Sequence, residues 1–215
     1  MRPKVTVYIT CHNYGKFIEQ SIKSVFGQIL KSWELIIIDD GSEDNSWKII
    51  NYLRKENEDK ITIIRNSKPK GLRFCANKAL KIARGEYFIR LDADDFLNES
   101  ALLVMSSFLD GNKDIALAYS DYFYVDESGK ILGIQKRKKI GTETKIKDIP
   151  AHGACTLFRT KTLLSIGGYD ENFDCQDGVE VWLRFQKKFK VLNINLPLFY
   201  YRRHESSLTK NEGKI

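Results

Sequence analysis

The residues with the greatest chemical potential in this sequence are three aspartates within four positions, Asp92-Ala93-Asp94-Asp95. They follow the mostly apolar run Tyr87-Phe88-Ile89-Arg90-Leu91, which puts the carboxylates at the end of a buried strand. Crowded like charges raise one another's pKa unless a cation neutralises them. Hard cations such as Mn2+ or Mg2+ take carboxylate oxygens and keep coordination positions open for phosphate. The pattern therefore suits a site from which a diphosphate departs, with a metal offsetting the charge on the leaving oxygen. A plainer use of the same segment is capping, by Asp95 or Asn98, of a helix starting near Glu99. A cap needs one acid, not three. The second acidic strand end, Asp39-Asp40-Gly41-Ser42, also has two readings. It can be a cap and a tight glycine bend, or a carboxylate that accepts the imide N–H of a uracil or a ribose hydroxyl.

Positioning such groups requires a rigid frame, and the first half supplies one by alternating two hydrophobic periods. Residues 5–10 form a short β-branched run, and Ile18, Ile22, Val25, Phe26 and Ile29 then recur at helical spacing. Residues 33–39 carry the unbroken apolar run Leu35-Ile36-Ile37-Ile38, as in a strand covered on both faces. Ser42 and Asp44 offer capping oxygens before the helical stripe Trp47, Ile50 and Leu53. A strand over 61–65, a helix carrying Ala76, Ala79, Leu80 and Ala83 that stops at Gly85, and a strand over 87–91 complete the pattern. This alternation predicts right-handed crossovers and a mainly parallel sheet. Ligands of such sheets sit beyond the carboxyl ends of the strands. Thr10-Cys11-His12-Asn13 thereby joins the two acidic segments at one edge.

The second half reads as a helix over 99–110, a strand region over 115–125 and a hairpin turn at Asp126-Glu127-Ser128-Gly129-Lys130. A polar, basic surface loop is expected over 135–147. A strand over 155–159, a turn at Gly167-Gly168, a helix over 179–189 with Trp182, Phe185 and Phe189 on one side, and closing strands over 191–195 and 199–203 follow. No repeat and no linker divides the chain.

The totals agree with one domain. The 215 residues are 42% hydrophobic and 29% charged, enough for a single sizeable core. A net charge of +7 suits anionic ligands or a membrane face. Cys11, Cys75, Cys155 and Cys175 show no CxxC or zinc-like spacing and read as buried thiols of a reducing compartment. No secretory signal pattern and no apolar run near the ~20 residues of a membrane span is present. The expectation is a cytoplasmic protein, attached at most to the inner face of the membrane. Gln135-Lys136-Arg137-Lys138-Lys139 is either a solvated loop or a docking point for an acidic or lipid-linked acceptor at that face. It lacks the aromatic interleaving of a nucleic-acid reader, so no nucleic-acid partner is expected.

Taken together, the stretches Val7-Tyr8-Ile9-Thr10-Cys11-His12-Asn13-Tyr14, residues 34–42 and residues 85–95 resemble glycosyltransferase family 2. The likeness continues through Gly167-Gly168-Tyr169-Asp170, residues 176–184 and Tyr201-Arg202-Arg203-His204, in the family's order across nearly the whole chain. The resemblance implies an α/β GT-A fold: a Rossmann-like three-layer sandwich with a mainly parallel sheet and a smaller, mixed C-terminal region. Residues 1–98 would form the nucleotide-sugar half of a single domain and 99–215 its acceptor side. It further implies an inverting enzyme that moves a sugar from a nucleotide diphosphate, UDP by default, to a hydroxyl of a glycan or lipid-linked acceptor. A divalent metal, Mn2+ or Mg2+, would assist.

By the same resemblance, Thr10, His12 and Asn13 would line the nucleotide pocket and Asp40 would contact the base. Arg73 and Asn77 would lie near phosphates and ribose. Asp92 and Asp94 would bound the Asp-x-Asp motif around Ala93, with Asp94 as the main metal ligand. His204 would approach the metal or diphosphate. The family's base usually belongs to a Glu-Asp pair before a helix that is here Glu180-Val181-Trp182-Leu183-Arg184. Asp177-Gly178 stands in place of that pair. Asp177 is the expected base through a glycine-permitted bend, a helix cap being its plainer role; Glu180 is the reserve, although a structural ion pair suits its place within the helix. Two rivals remain. A non-catalytic nucleotide-sugar-binding module would tolerate the altered pair. A sugar nucleotidylyltransferase would need a glycine-rich basic loop after the first strand, where Thr10-Cys11-His12-Asn13-Tyr14-Gly15-Lys16 offers one glycine and one lysine.

Overall fold

The computed structural model describes residues 2–137, 154–172 and 177–205. Four strands, β1 (Val5–Cys11), β2 (Trp33–Asp40), β3 (Ile61–Asn66) and β4 (Tyr87–Arg90), pair in the order β3-β2-β1-β4, all parallel. Their crossovers are α1 (Ile18–Phe26), α2 (Ser46–Arg54) and α3 (Leu72–Ile82). The chain then adds β5 (Phe96–Leu97), α4 (Ala101–Gly111), β6 (Ile115–Val125), β7 (Ile131–Gln135), β8 (Thr156–Arg159), α5 (Thr160–Ser165), α6 (Asp177–Gln186) and β9 (Lys190–Arg202). These extend the same sheet as β4-β8-β6-β9-β5, with β7 on β6. Pairing is antiparallel at β4/β8, β6/β8, β6/β7 and β5/β9, and parallel at β6/β9.

Strand alternation sorts side chains onto two apolar layers, each roofed by helices. Val5, Val7, Ile9, Leu35 and Ile37 pack against Ile18, Ile22 and Val25 of α1, Ile50 and Leu53 of α2, and Leu102, Met105 and Leu109 of α4. On the opposite face, Tyr8, Ile36, Ile38 and Phe88 meet Cys75, Ala76, Ala79 and Leu80 of α3, and Val181, Trp182 and Phe185 of α6. The result is the expected three-layer α/β sandwich. Cys11, Cys75 and Cys155 are buried thiols; burial pushes Cys11 up to about 11 and Cys75 and Cys155 up to about 12. They are packing groups, not nucleophiles. Cys175 lies outside the described residues.

Several local expectations are corrected. The two closing strands are one, β9, in which register shifts around Asp121 accommodate Pro197 beside β6. Proline cannot donate to a ladder, and the shifts absorb that loss. Neither β5 nor α5 stands out in the hydrophobic pattern, because two and six residues are too few for a period. Helix α1 ends at Phe26, leaving Ile29 half exposed while its N–H bonds to Glu99 O. The basic loop is not solvated throughout. Arg137 is buried, its N–H donating to Asp121 Oδ1 (2.9 Å) and its guanidinium lying over the Tyr119 ring. Lys138 and Lys139 lie outside the described residues.

Candidate active site

The carboxyl ends of β1, β2 and β4 converge on the loops that carry most of the sequence-predicted site. Thr10, next to last in β1, lies on the face covered by α3, and its buried Oγ1 has no hydrogen-bond partner among the described residues. His12 and Asn13 follow at the start of the β1–α1 loop. The Nδ1–H of His12 donates to Asp40 O (2.8 Å), which leaves Nε2 as an acceptor for the Asn13 amide. Asn13 takes a left-handed conformation (φ 59°). There its N–H reaches Ser42 Oγ (3.0 Å) and its Oδ1 accepts Glu43 N–H (2.8 Å). Ser42 thus ties two loops together, and the capping role falls to Asp44, whose Oδ1 accepts Ser46 N–H (2.9 Å).

Asp40 is buried, and its carboxylate is turned to the loop before α3. It accepts from Asn66 Nδ2 (2.7 Å), Lys70 N–H (2.9 Å) and Gly71 N–H (2.9 Å). Gly41 makes that approach possible. Its φ is 71°, and a Cβ there would sit 2.9 Å from the Lys68 carbonyl carbon. The loop delivers α3 with Arg73 in its first turn, half buried and without a hydrogen bond or ion pair among the described residues. Asn77, one turn on, has its amide taken up by the Tyr169 backbone (Nδ2 to O 2.8 Å, N–H to Oδ1 2.9 Å) and by Glu171 (2.8 Å).

The acidic segment divides its labour. Asp92 pairs with Arg90 Nε (2.5 Å). Ala93 is buried. Asp95 is buried as well and accepts Arg202 N–H on Oδ1 (2.9 Å), so it anchors β9 rather than capping α4. The turn into α4 is made by Asn98, whose Oδ1 accepts Ser100 N–H (3.0 Å). Asp94 alone turns toward His204, Oδ2 to Nε2 2.9 Å, joining residues 110 positions apart. His204 is buried against the rings of Phe17 (4.8 Å) and Tyr14 (6.0 Å). Burial, then repulsion from Asp92, raises the Asp94 pKa; burial, then Asp94 and Asp92, raises Asp95 further. Burial, and then the same negative field, push up the hydroxyl of the partly buried Tyr14.

Among the described residues no three His, Cys, Asp or Glu side chains form a ready-made cage. The residues nevertheless fit a metal that shares its coordination sphere with a phosphate ligand. Asp94 and His204 supply one oxygen and one nitrogen, and the carboxylates at 92, 94 and 95 are an excess of negative charge that a cation would relieve.

Arg202 organises the site, although its place in the sequence did not single it out. It is buried between the rings of Phe17 and Phe96, donating to Asp94 O (2.7 Å), Glu127 O (2.6 Å) and Gln20 Oε1 (2.5 Å). One guanidinium thereby fixes the acidic loop, the β6–β7 turn and α1 together. Only an Arg two places before His204 hinted at it. Arg202→Met is expected to cost about 2–4 kcal/mol by stranding the carbonyls of Asp94 and Glu127 and the Gln20 amide oxygen and by removing the cation beside Asp94 and Asp95. Thermal denaturation measures this, and Arg202→Lys should recover only part, because an ammonium cannot span the three acceptors.

Asp177 is the first residue of α6. The reach of its carboxylate lies outside the described residues. Glu180 is committed elsewhere: it pairs with Arg184, which also donates to Ile166 O and Gly168 O (both 2.6 Å). Gly168 (φ 70°) allows this packing, since a Cβ would lie 2.6 Å from Asn77 Oδ1.

Residues 6–167 match Glycosyl transferase family 2. The UDP-Glc:alpha-D-GlcNAc-diphosphoundecaprenol beta-1,3-glucosyltransferase WfaP of Escherichia coli is 31% identical over 98% of this chain and 81% of its own length. Among solved structures, S. aureus TarS 1-349 in complex with UDP-GlcNAc superposes with a TM-score of 0.76 at 19% identity, covering 97% of this chain and 61% of that one. The mannosyltransferase PcManGT from Pyrobaculum calidifontis, in complex with GDP-Man and Mn2+, gives 0.74 at 15% identity over 96% and 59%. The chain thus spans about three-fifths of each of these two solved structures.

Proposed function

The chain belongs to glycosyl transferase family 2 and transfers glycosyl groups, and from that premise we propose that it moves a hexose from a UDP-sugar, with inversion, onto a hydroxyl of a lipid-linked glycan. The observation that most supports this reading is the 2.9 Å contact of Asp94 with His204 at the carboxyl end of the parallel strands. WfaP, whose name gives UDP-glucose as donor and a diphosphoundecaprenol-linked sugar as acceptor, supports the choice of substrates.

In this reading residues 1–98 serve the donor and 99–215 the acceptor. Thr10, His12 and Asn13 line the nucleotide pocket, with the Thr10 hydroxyl available to it. Asp40 sets the loop beneath the base, and Arg73 offers its guanidinium to the phosphates. Asn77 holds the neighbouring 167–171 turn. Asp92 and Ala93 flank the diphosphate, while Asp94 and His204 would hold a divalent ion. When bound, that ion offsets the charge growing on the departing diphosphate. Asp177 takes the proton from the acceptor hydroxyl as it attacks the anomeric carbon. No helix among the described residues is long and apolar enough to cross a membrane; the proposed setting is the cytoplasmic face of a bilayer, where a lipid-borne acceptor would be met.

The test is nucleoside diphosphate release from UDP-glucose, UDP-GlcNAc and GDP-mannose, with Mn2+ and a diphosphate-linked GlcNAc acceptor. Turnover of a UDP-sugar that EDTA stops is expected. Binding without turnover would favour the non-catalytic module instead, and pyrophosphate-dependent formation of UTP would favour nucleotidylyl transfer.

A further inference from the structure

We propose that strand β7 and the aromatic row beside it form the surface by which this protein docks on an anionic lipid bilayer. This rests on the lipid-linked acceptor proposed above and names the face that meets the lipid. β7 is an edge strand whose outer side pairs with nothing among the described residues. Its aliphatic residues are unusually exposed: Ile131 51%, Leu132 58% and Ile134 55%. Ile134 stands opposite Phe123 on β6, Phe123 opposite Tyr200 on β9, and Tyr200 opposite Phe96 on β5. Directly paired residues share one face of a sheet, and the rings stack in that order, Phe123 on Tyr200 at 5.1 Å and Tyr200 on Phe96 at 4.4 Å. None of the three rings belongs to either apolar core. A register shift between Tyr124 and Val125 sets Ile131 opposite Val125 and leaves Leu132 as the extra residue of β7, where its side chain is exposed.

The patch is therefore continuous across four strands, and its inner end, Phe96, is two residues from Asp94. Contiguous apolar surface that is exposed along β7 and half-buried at the three rings marks an interaction site. Its chemistry favours a bilayer over a protein groove. Aliphatic residues sit at the outer edge and aromatic residues behind them, with exposed Lys130 and Lys136 at the two ends of β7. That is the composition of a surface that inserts side chains between headgroups and holds anionic lipid with cations. The net charge of +7 adds attraction of the same sign. Placement matters as much as composition. Arg202 ties the β6–β7 turn to the Asp94 loop, so a bilayer gripped by β7 would hold the acceptor's headgroup close to the acidic strand end.

Sedimentation with vesicles of phosphatidylglycerol and phosphatidylcholine, against vesicles of phosphatidylcholine alone, tests this. The wild-type chain is expected to pellet with the anionic vesicles and to be released in part by high salt. The double variant Leu132→Ser/Ile134→Ser should partition at least about tenfold more weakly, with its circular dichroism and its turnover of a water-soluble, short-chain acceptor unchanged. Wild-type protein that turns over the soluble acceptor yet stays in the supernatant would overturn the docking surface and leave the transferase reading standing. Equal pelleting of the double variant would overturn it as well. So would a dimer in solution that the double variant dissociates, since β7 would then belong to a second copy of the chain. Absence of turnover with every donor strikes the functional reading itself, and the vesicle result then stands alone.

Discussion

Asp94→Asn is expected to lower turnover of the UDP-sugar by about a thousandfold, roughly 4 kcal/mol of transition-state stabilisation. The substitution keeps the size of the side chain and its hydrogen bond to His204 but removes the charge that would hold a divalent ion. Two readouts besides rate separate this from simple damage. Mn2+ should raise the melting temperature of the wild-type protein in the presence of UDP and leave that of the variant unchanged. Without metal, the variant should be no less stable than the wild type. Burial and repulsion from Asp92 raise the Asp94 pKa, so its ionised form is disfavoured by folding. An acid whose folded pKa lies above its unfolded one subtracts from stability once pH exceeds the unfolded value, and a neutral amide removes that penalty. A variant that keeps full Mn2+-dependent activity would remove Asp94 from the centre of the site.

Asp177→Asn is expected to lower kcat by about two to four orders of magnitude, the usual contribution of a positioned base. The apparent affinity for the UDP-sugar should stay within a few-fold, because the proposed role begins only when the acceptor hydroxyl attacks. The loss should be confined to transfer, so titration with UDP by calorimetry should match the wild type. Full activity in this variant would refute the assignment. Glu180 is then a poor substitute, since its carboxylate is committed to Arg184 and through it to the carbonyls of Ile166 and Gly168. A base at that position would have to give up the contacts that hold the 166–171 turn.

The layered frame and the acidic strand end are legible in the order of residues. Alternating periods of two and 3.6 report which residues are covered on each side of a strand or helix, and that is local information. It is why Ile36 and Ile37 could be placed in buried strand β2, and Asp92–Asp95 at the end of β4. The same local information misjudged positions settled by neighbours far along the chain. Asp95 looked like a cap and is instead an acceptor for the Arg202 backbone, 107 residues away. Arg137 looked solvated, and Asp121 with the Tyr119 ring gives it a buried berth. Residues 191–195 and 199–203 looked like two strands, and shifts in the register with β6 let one strand run through Pro197.

Only the tertiary structure decided that His204 meets Asp94. The parallel pairing of β9 with β6, and the antiparallel pairing of β5 with β9, return the end of β9 to the loop between β4 and β5. Neither pairing leaves a period in the sequence, because a ladder between distant strands is chosen by the packing of the whole sheet. Charge and type were written locally, in three aspartates and a histidine. Their separation in space is a property of the sheet.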